Sequence, residues 1–255
     1  MRPLSAPIFL LAGVLAFAPA VHAQGGPAIE PEAVQALQRM GQTLKGLQTF
    51  SVKGAASSED VLPQGLKVRR DKVSTVEVAR PDHVRAEQTA TGWHRQVTYD
   101  GKTVSIFSKS AGYYAQTPAT GTVYQLAGRI ESDYQLELPL LDLFAWADDA
   151  ATRPPLQMAR VVGLANVRGV PCDQYVYRQD GMDWQVWIQR GAQALPRRLV
   201  VTSTRDNARP QVVEEYDWTI NPPIAANAFD FRPPPGAISV PLARVKEIAV
   251  QKQQR

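Results

Sequence analysis

Two Asp-Gly pairs, each flanked by alternating apolar and polar residues, constrain the fold of this chain most. They are Asp100–Gly101, in the segment VTYDGKTVSIF, and Asp180–Gly181, in the segment YVYRQDGMDWQVWI. Asp-Gly is a favoured loop of two-residue β-hairpins, because glycine adopts positive φ without steric cost. Alternation over several residues is typical of a strand with one buried face. The pairs therefore predict two antiparallel hairpins, each with one apolar face.

In the first hairpin, a loop at Asp100–Gly101 predicts that Tyr99 pairs with Lys102. Two residues further along each strand, Val97 then pairs with Val104. Directly opposed residues share a face of the sheet. The predicted apolar face contains Val97, Tyr99, Val104 and Ile106, and the opposite face, predicted to be wet, contains Gln96, Thr98, Thr103 and Ser105.

In the second hairpin, the same reasoning predicts that Tyr177 pairs with Trp184. The opposite charges of Arg178 and Asp183 then lie directly opposite one another, which supports this register. Trp187 is predicted to lie on the other face from Trp184. The predicted apolar face contains Tyr175, Tyr177, Met182, Trp184, Val186 and Ile188.

Helical patterns occur at the start and in the middle of the chain. The segment Pro31–Gly46 places four apolar residues on one side of a helix, and a second stripe follows the same spacing near residue 125. A third apolar segment, PLLDLFAWADDA from Pro139, predicts a helix that is buried or that covers an apolar site. The two stripes and the residues of the third segment are Val34, Leu37, Met40 and Leu44; Val123, Leu126, Ala127 and Ile130; and Leu140, Leu141, Leu143, Phe144, Trp146 and Ala147.

Strand patterns fill the rest of the chain up to Phe231. Because they follow one another as a meander rather than alternating with helices, they argue against a parallel sheet. Three prolines at 233–235 cannot join a central ladder, so a tail is predicted after Gly236. The predicted organisation is a flexible segment at 24–30, one domain at 31–236 and a C-terminal tail at 237–255.

The N-terminus combines a basic Arg2, an apolar run from Ile8 to Phe17 and a small-residue end at Ala23. This pattern predicts a secretory signal peptide at 1–23, cleaved after Ala23, and a periplasmic mature chain. The apolar run is shorter than the roughly 20 residues of a spanning helix, so no transmembrane span is predicted in the mature chain. Cys172 is the only cysteine, which excludes an internal disulfide, and is interpreted as an inert, half-buried apolar residue.

Charge and motifs argue against several function classes. Lys and Arg number 28 against 24 Asp and Glu, and the only dense basic cluster, Lys67–Lys72, is short and interrupted. It is interpreted as a solvated loop or edge strand, and no nucleic-acid partner is predicted. Beyond the signal peptide only His83 and His94 remain, and both are interpreted as surface residues. No catalytic residue, metal site or cofactor is predicted, and the chain is interpreted as a non-enzyme.

Several features together resemble a known group of proteins. They are the signal peptide, the N-terminal helix leading into a meander, the Tyr99–Lys102 hairpin, the central helices and the ending Phe-Asp-Phe-Arg-Pro-Pro-Pro-Gly at 229–236. The chain resembles the periplasmic lipoprotein-carrier superfamily of LolA, LolB and RseB, and most closely domain-of-unknown-function family 2092 within it. The resemblance implies a mainly β (α+β) fold, in which a strongly curved antiparallel sheet forms an unclosed barrel whose concave apolar face is lidded by helices. In the carriers, that hollow accepts lipoprotein acyl chains.

These predictions define a candidate ligand-binding surface and two hypotheses for function. The first is a non-enzymatic periplasmic protein that binds a lipid, lipoprotein acyl chain or other amphiphile. The alternative is an envelope interaction or sensor module whose core is filled and whose partner is another envelope protein; an enzyme ranks third. Whether the hollow is open or filled is left undecided by the sequence. The candidate ligand-binding residues are Val97, Tyr99, Val104, Ile106, Tyr175, Tyr177, Trp184, Val186 and Ile188 on the sheet, and Leu140, Leu141, Phe144 and Trp146 on the lid.

Overall fold

Helix α1 (Pro31–Gly46) begins at a proline, whose fixed φ suits the first helical turn. Glu32 in the first turn and Lys45 in the last turn complement the helix dipole. The bounds of α1 are those that the sequence predicts. The computed structural model describes residues 28–134, 136, 155–225 and 227–242.

The covered face of α1 differs by one residue from the prediction. The buried side chains are Ala33, Ala36, Met40 and Leu44, whereas Val34 and Leu37 are half-buried. Successive residues of a helix lie about 100° apart, so the second pair flanks the covered face instead of forming it. The two alanines add little bulk between the helix and the sheet, and α1 therefore keeps an apolar flank that the sheet does not fully cover.

A single sheet of 12 strands follows α1, and helix α2 (Val123–Tyr134) lies between its sixth and seventh strands. The strands are β1 (Thr49–Val61), β2 (Lys67–Ala79), β3 (His83–Ala90), β4 (Trp93–Asp100), β5 (Thr103–Ser108), β6 (Tyr113–Pro118), β7 (Met158–Val167), β8 (Val170–Gln179), β9 (Met182–Gln189), β10 (Pro196–Ser203), β11 (Gln211–Ile220) and β12 (Ile238–Ser239). Their order is β12-β6-β5-β4-β3-β2-β1-β11-β10-β9-β8-β7. The predicted fold class is confirmed: the sheet is curved, dominantly antiparallel and unclosed.

The register of the second hairpin is as predicted. Tyr177 pairs with Trp184, and Arg178 pairs with Asp183. The guanidinium of Arg178 donates to both carboxylate oxygens of Asp183, at 2.6 and 2.9 Å.

The predicted register of the first hairpin is wrong by two residues, because Tyr99 pairs with Val104 and not with Lys102. The loop is Gly101–Lys102, with φ of 85° at Gly101. The Asp100 carboxylate stabilises this loop by accepting from the backbone amides of Lys102 and Thr103, at 2.9 and 2.7 Å. A shift of two residues leaves every side chain on its predicted face.

The two helices cover different halves of the concave face. The Tyr177 hydroxyl on β8 donates to the Ala33 carbonyl of α1 at 2.9 Å, and the Tyr99 hydroxyl on β4 donates to the Gly121 carbonyl just before α2 at 2.8 Å. The predicted stripe of α2 is confirmed, since Val123, Leu126, Ala127 and Ile130 are all buried. The helix predicted from Pro139 lies outside the described residues.

The outer face of β3–β6 is not wet as predicted. Thr98 and Ser105 are only 2% and 3% exposed. The C-terminal segment 227–240 crosses this face, and the ring of Phe231 lies 5.9 Å from Phe107 and 5.7 Å from Tyr114. On the outer face of β8, Cys172 is fully buried beside Trp187 rather than half-buried, and burial raises the pKa of its thiol.

Both ends of the described chain run along edges of the sheet. Near the N-terminus, the amide of Glu30 donates to the Ala159 carbonyl of β7 at 2.8 Å, and its carboxylate accepts from the Val161 amide at 2.7 Å. Near the C-terminus, β12 pairs in parallel with β6. The tail predicted after Gly236 thus starts with two residues that join the sheet.

Candidate functional site

The apolar faces of the two hairpins meet in one hydrophobic core on the concave side of the sheet. Eight of the nine candidate residues on the strands are buried in it, and Ile106 is half-buried against it. The Tyr177 ring stacks on Trp184, with their centroids 4.2 Å apart. The eight buried residues are Val97, Tyr99, Val104, Tyr175, Tyr177, Trp184, Val186 and Ile188. The predicted lid residues Leu140, Leu141, Phe144 and Trp146 lie outside the described residues.

The tyrosines of this core are held in their neutral form. Burial raises the pKa of Tyr177 far above its ordinary value, and it also raises the pKa of Tyr99 and of Tyr175. A neutral phenol can donate one hydrogen bond, but it carries no charge for acid-base chemistry near neutral pH. The core therefore offers apolar contact with a few fixed hydroxyl groups.

A fringe of half-buried apolar side chains surrounds this core. α1 contributes Val34 and Leu37, and α2 contributes Tyr124 and Tyr134. Leu136 and Leu156, on either side of residues 137–154, pack against the same core. We call these six residues the apolar fringe. It extends the apolar surface of the core toward solvent beside both helices.

The concave face becomes polar along β1–β4 and β11. An apolar row of paired residues crosses these strands first, followed by two rows that contain polar side chains. In strand order β4, β3, β2, β1 and β11, the apolar row is Val97, Ala86, Val76, Val52 and Trp218; the next is Arg95, Gln88, Ser74, Gly54 and Tyr216; and the last is Trp93, Ala90, Lys72, Ala56 and Glu214. We call the last two the polar rows. Every second residue of a strand faces the same way, so they point into the same concave side as the core.

Contacts within the polar rows fix the position of their charged groups. Arg95 Nη2 donates to Gln88 Oε1 at 2.7 Å, and the guanidinium carbon lies 5.0 Å from the centroid of the Trp93 ring. The Tyr216 hydroxyl donates to a carboxylate oxygen of Glu214. Gln88 is 3% exposed, whereas Arg95 is half-buried.

Sequence reasoning missed the polar rows, although a signal for them is present. In HVRAEQTA the inward positions read Val84, Ala86, Gln88, and in KVSTVEV they read Lys72, Ser74, Val76. Following the alternation of each strand to its end would have shown polar residues entering the concave face. Only the pairing of five strands shows that these residues form continuous rows.

The two histidines lie apart on the outer face. His83 Nδ1 lies 2.8 Å from an Asp82 carboxylate oxygen and its ring packs against Phe229, while His94 Nε2 lies 3.3 Å from Glu87. Both are half-buried. Within the part of the chain that the structure describes, no group of three or more His, Cys, Asp or Glu residues is placed to hold a metal ion.

The basic cluster Lys67–Lys72 occupies the start of β2. Its charges are largely paired within the β1–β2 hairpin: Lys67 with Glu59, Arg70 with Asp60, and Arg69 with Asp71, at 2.7–3.0 Å. Two cavities, of about 350 and 470 Å³, are lined mainly by outward-facing residues of the sheet. Among the described residues, no helix is both long and apolar enough to cross a bilayer.

Comparison with known proteins identifies the family. Among solved structures, the chain is similar to the lipoprotein LppX of Mycobacterium tuberculosis (12% identity, 77% of this chain and 98% of that chain, TM-score 0.47) and to LprF of Mycobacterium bovis (14% identity, 80% and 100%, TM-score 0.46). A LolA superfamily protein of Nitrosomonas europaea is also similar (10% identity, 78% and 97%, TM-score 0.30). No curated protein matches the chain. The family model DUF2092, described as a predicted periplasmic protein, matches residues 33–243, and the chain therefore belongs to this family.

Proposed function

We propose that this protein binds a lipid, a lipoprotein acyl chain or another amphiphile on the concave side of its sheet, and that it catalyses no reaction. The observation that carries the proposal is one continuous apolar core, shared by both hairpins and bordered by the apolar fringe. An acyl chain laid against the fringe gains about 25 cal/mol for each Å² of apolar surface that it buries. The neutral tyrosines impose no charge on such a ligand.

The covering helices define how the ligand is bound. Because α1 and α2 cover most of the predicted sheet residues, the acyl chain lies along the fringe and reaches Val97, Val186 and Trp184 only where a helix moves aside. The proposed contacts also include the predicted lid residues Leu140, Leu141, Phe144 and Trp146. We place the mature protein in the periplasm, after cleavage behind Ala23.

Lipid retention tests this proposal directly. Delipidated protein is incubated with radiolabelled fatty acid or phospholipid and then purified again; about one ligand per chain is expected to remain. Leu37→Asp places a charge in the half-buried fringe and is expected to abolish retention. Leu164→Asp is the matched control, because Leu164 on β7 is 75% exposed and far from the core residues in the pairing order. Absence of retention by the unaltered protein with either lipid would refute the proposal.

A second function is favoured by a different observation. The buried hydroxyls of Tyr99 and Tyr177 both bond to the elements that cover them, as in a finished core without a guest. In that case the protein acts as an interaction module for another envelope protein. A chain ending at Leu242 keeps β12 and removes residues 243–255. If the tail recruits the partner, this shortened chain loses in a pull-down from cell envelope a protein that the full chain retains, and neither chain retains lipid.

A further inference from the structure

The polar rows provide a site for the head group of the proposed ligand. We propose that Arg95 and Lys72 bind an anionic group, a phosphate or a carboxylate, of an amphiphile whose chain continues along the neighbouring apolar row. This inference rests on the proposed function and adds the chemical class of the ligand. It depends on the pairing of five strands, which sets a polar and an apolar surface side by side on the concave face.

The order of the rows matches the order of groups in an amphiphile. Val97 and Arg95 occupy neighbouring inward positions of β4, and Val76 and Ser74 occupy those of β2. Inward positions two residues apart on a strand lie about 6.6–7 Å from each other. The apolar surface therefore gives way to the polar surface within one such step, which is about the distance between the carboxylate and the first methylenes of a fatty acid.

Arg95 is built to receive an oxyanion. Its Nη2 is held by Gln88, and Trp93 supports the guanidinium plane, so the side chain is ordered before a ligand arrives. A guanidinium has five N–H donors, and its remaining donors can serve a phosphate or carboxylate in a bidentate manner. Ser74, buried at 7% exposure in the same row, adds a hydroxyl donor.

Lys72 lies on the same face, in the last row, with Ala56 between it and Glu214. The side chains on β1 are the smallest of each polar row, Gly54 and Ala56, which leaves volume above this strand. Two cations face one carboxylate here, and that carboxylate already accepts from the Tyr216 hydroxyl. The local charge therefore favours an anionic head group over a neutral or cationic one.

The test compares two ligands that share a chain and differ in the head group. Titration calorimetry of delipidated protein with laurate and with 1-dodecanol is expected to show about tenfold to a hundredfold tighter binding of laurate, as charge-assisted hydrogen bonds provide. Arg95→Gln is expected to remove most of this preference and to leave dodecanol binding unchanged. Arg85→Gln is the matched control: Arg85 lies on neighbouring β3, pairs with Glu87 on the outer face, and should not change the preference.

Each outcome is decisive. Equal affinity for laurate and dodecanol, or a preference that survives both Arg95→Gln and Lys72→Gln, overturns the head-group site while the proposed function stands. Failure of both ligands to bind refutes the proposed function and this inference with it. Inorganic phosphate is titrated as a separate arm. If it binds as tightly as laurate and displaces it, the site takes a free anion and the assignment to a lipid head group is wrong.

Discussion

Replacing Tyr177 with phenylalanine tests whether α1 is fixed to the sheet by the hydrogen bond described above. The Tyr177 hydroxyl is fully buried and donates to the Ala33 carbonyl at 2.9 Å. The substitution keeps the ring and its stack on Trp184, so the packing is preserved. The Ala33 carbonyl also keeps its intrahelical partner, the amide of Leu37, so it is not left unsatisfied. The expected loss is one net hydrogen bond, about 1 kcal/mol of unfolding free energy.

Urea unfolding followed by circular dichroism measures this loss. For a domain of this size it corresponds to a fall in Tm of about 2–4 °C. Tyr113→Phe is the control, since Tyr113 is 46% exposed and its substitution should change the stability by less than about 0.5 kcal/mol. A Tyr177→Phe variant as stable as the control would show that the hydroxyl bond does not fix α1.

The same variant has a distinct alkaline signature. Burial raises the pKa of Tyr177 above its unfolded value of about 10, so the folded protein disfavours the phenolate. The resulting stabilisation is present below pH 10 and is lost as the pH rises above it. The free energy of unfolding should therefore fall less steeply between pH 10 and 11 in Tyr177→Phe than in the unaltered protein. Equal slopes would contradict the proposed burial of the hydroxyl.

Three further predictions concern other parts of the fold. Burial alone would raise the pKa of Glu87, but hydrogen bonds from Arg85 and Lys109 lower it to about 2, so its stabilisation is present above pH 4.5 and is lost toward pH 2; Glu87→Gln should cost about 1–3 kcal/mol at pH 7 and flatten acid unfolding curves in that window, and an unchanged curve would contradict this. Phe231→Ala should cost about 2 kcal/mol in urea unfolding, because its ring packs on Phe107 and Tyr114, whereas exposed Leu164→Ala should cost less than about 0.5 kcal/mol; equal costs would argue against the packing of segment 227–240. Gly101→Ala should lower Tm more than Gly92→Ala, since both have positive φ but only the Cβ at 101 would lie 2.8 Å from Asp82 Oδ2; the reverse order would show that this contact relaxes freely.

The predicted elements that the structure confirms depend on local signals. Helix α1 begins at a proline and carries one apolar stripe, and α2 repeats that spacing, so both were predictable from the sequence. The hairpin at Asp180–Gly181 was correct in register because the opposed charges of Arg178 and Asp183 added a second constraint. The hairpin at Asp100–Gly101 had no such constraint, and the carboxylate of Asp100 stabilised a different loop.

The parts that could not be predicted depend on contacts between residues far apart in the sequence. Thr98 and Ser105 read as exposed polar residues, because nothing near them indicates that Phe231 and its neighbours would cross the outer face. The polar rows needed the register of β1 with β11, which joins residues about 160 positions apart. A sequence pattern gives the face of each strand, but only pairing shows which faces become neighbours.

The coverage of both sheet edges by the ends of the chain bears on how the protein tolerates proteolysis. Ala28–Glu30 occupies part of the β7 edge, and β12 occupies part of the β6 edge. A protease that trims past Glu30 or removes Ile238 would bare unpaired amides and carbonyls at opposite margins of one molecule. Such clipped molecules could pair margin to margin with one another, and trimming at the termini, rather than cleavage in a loop, would then be the event that starts their polymerisation.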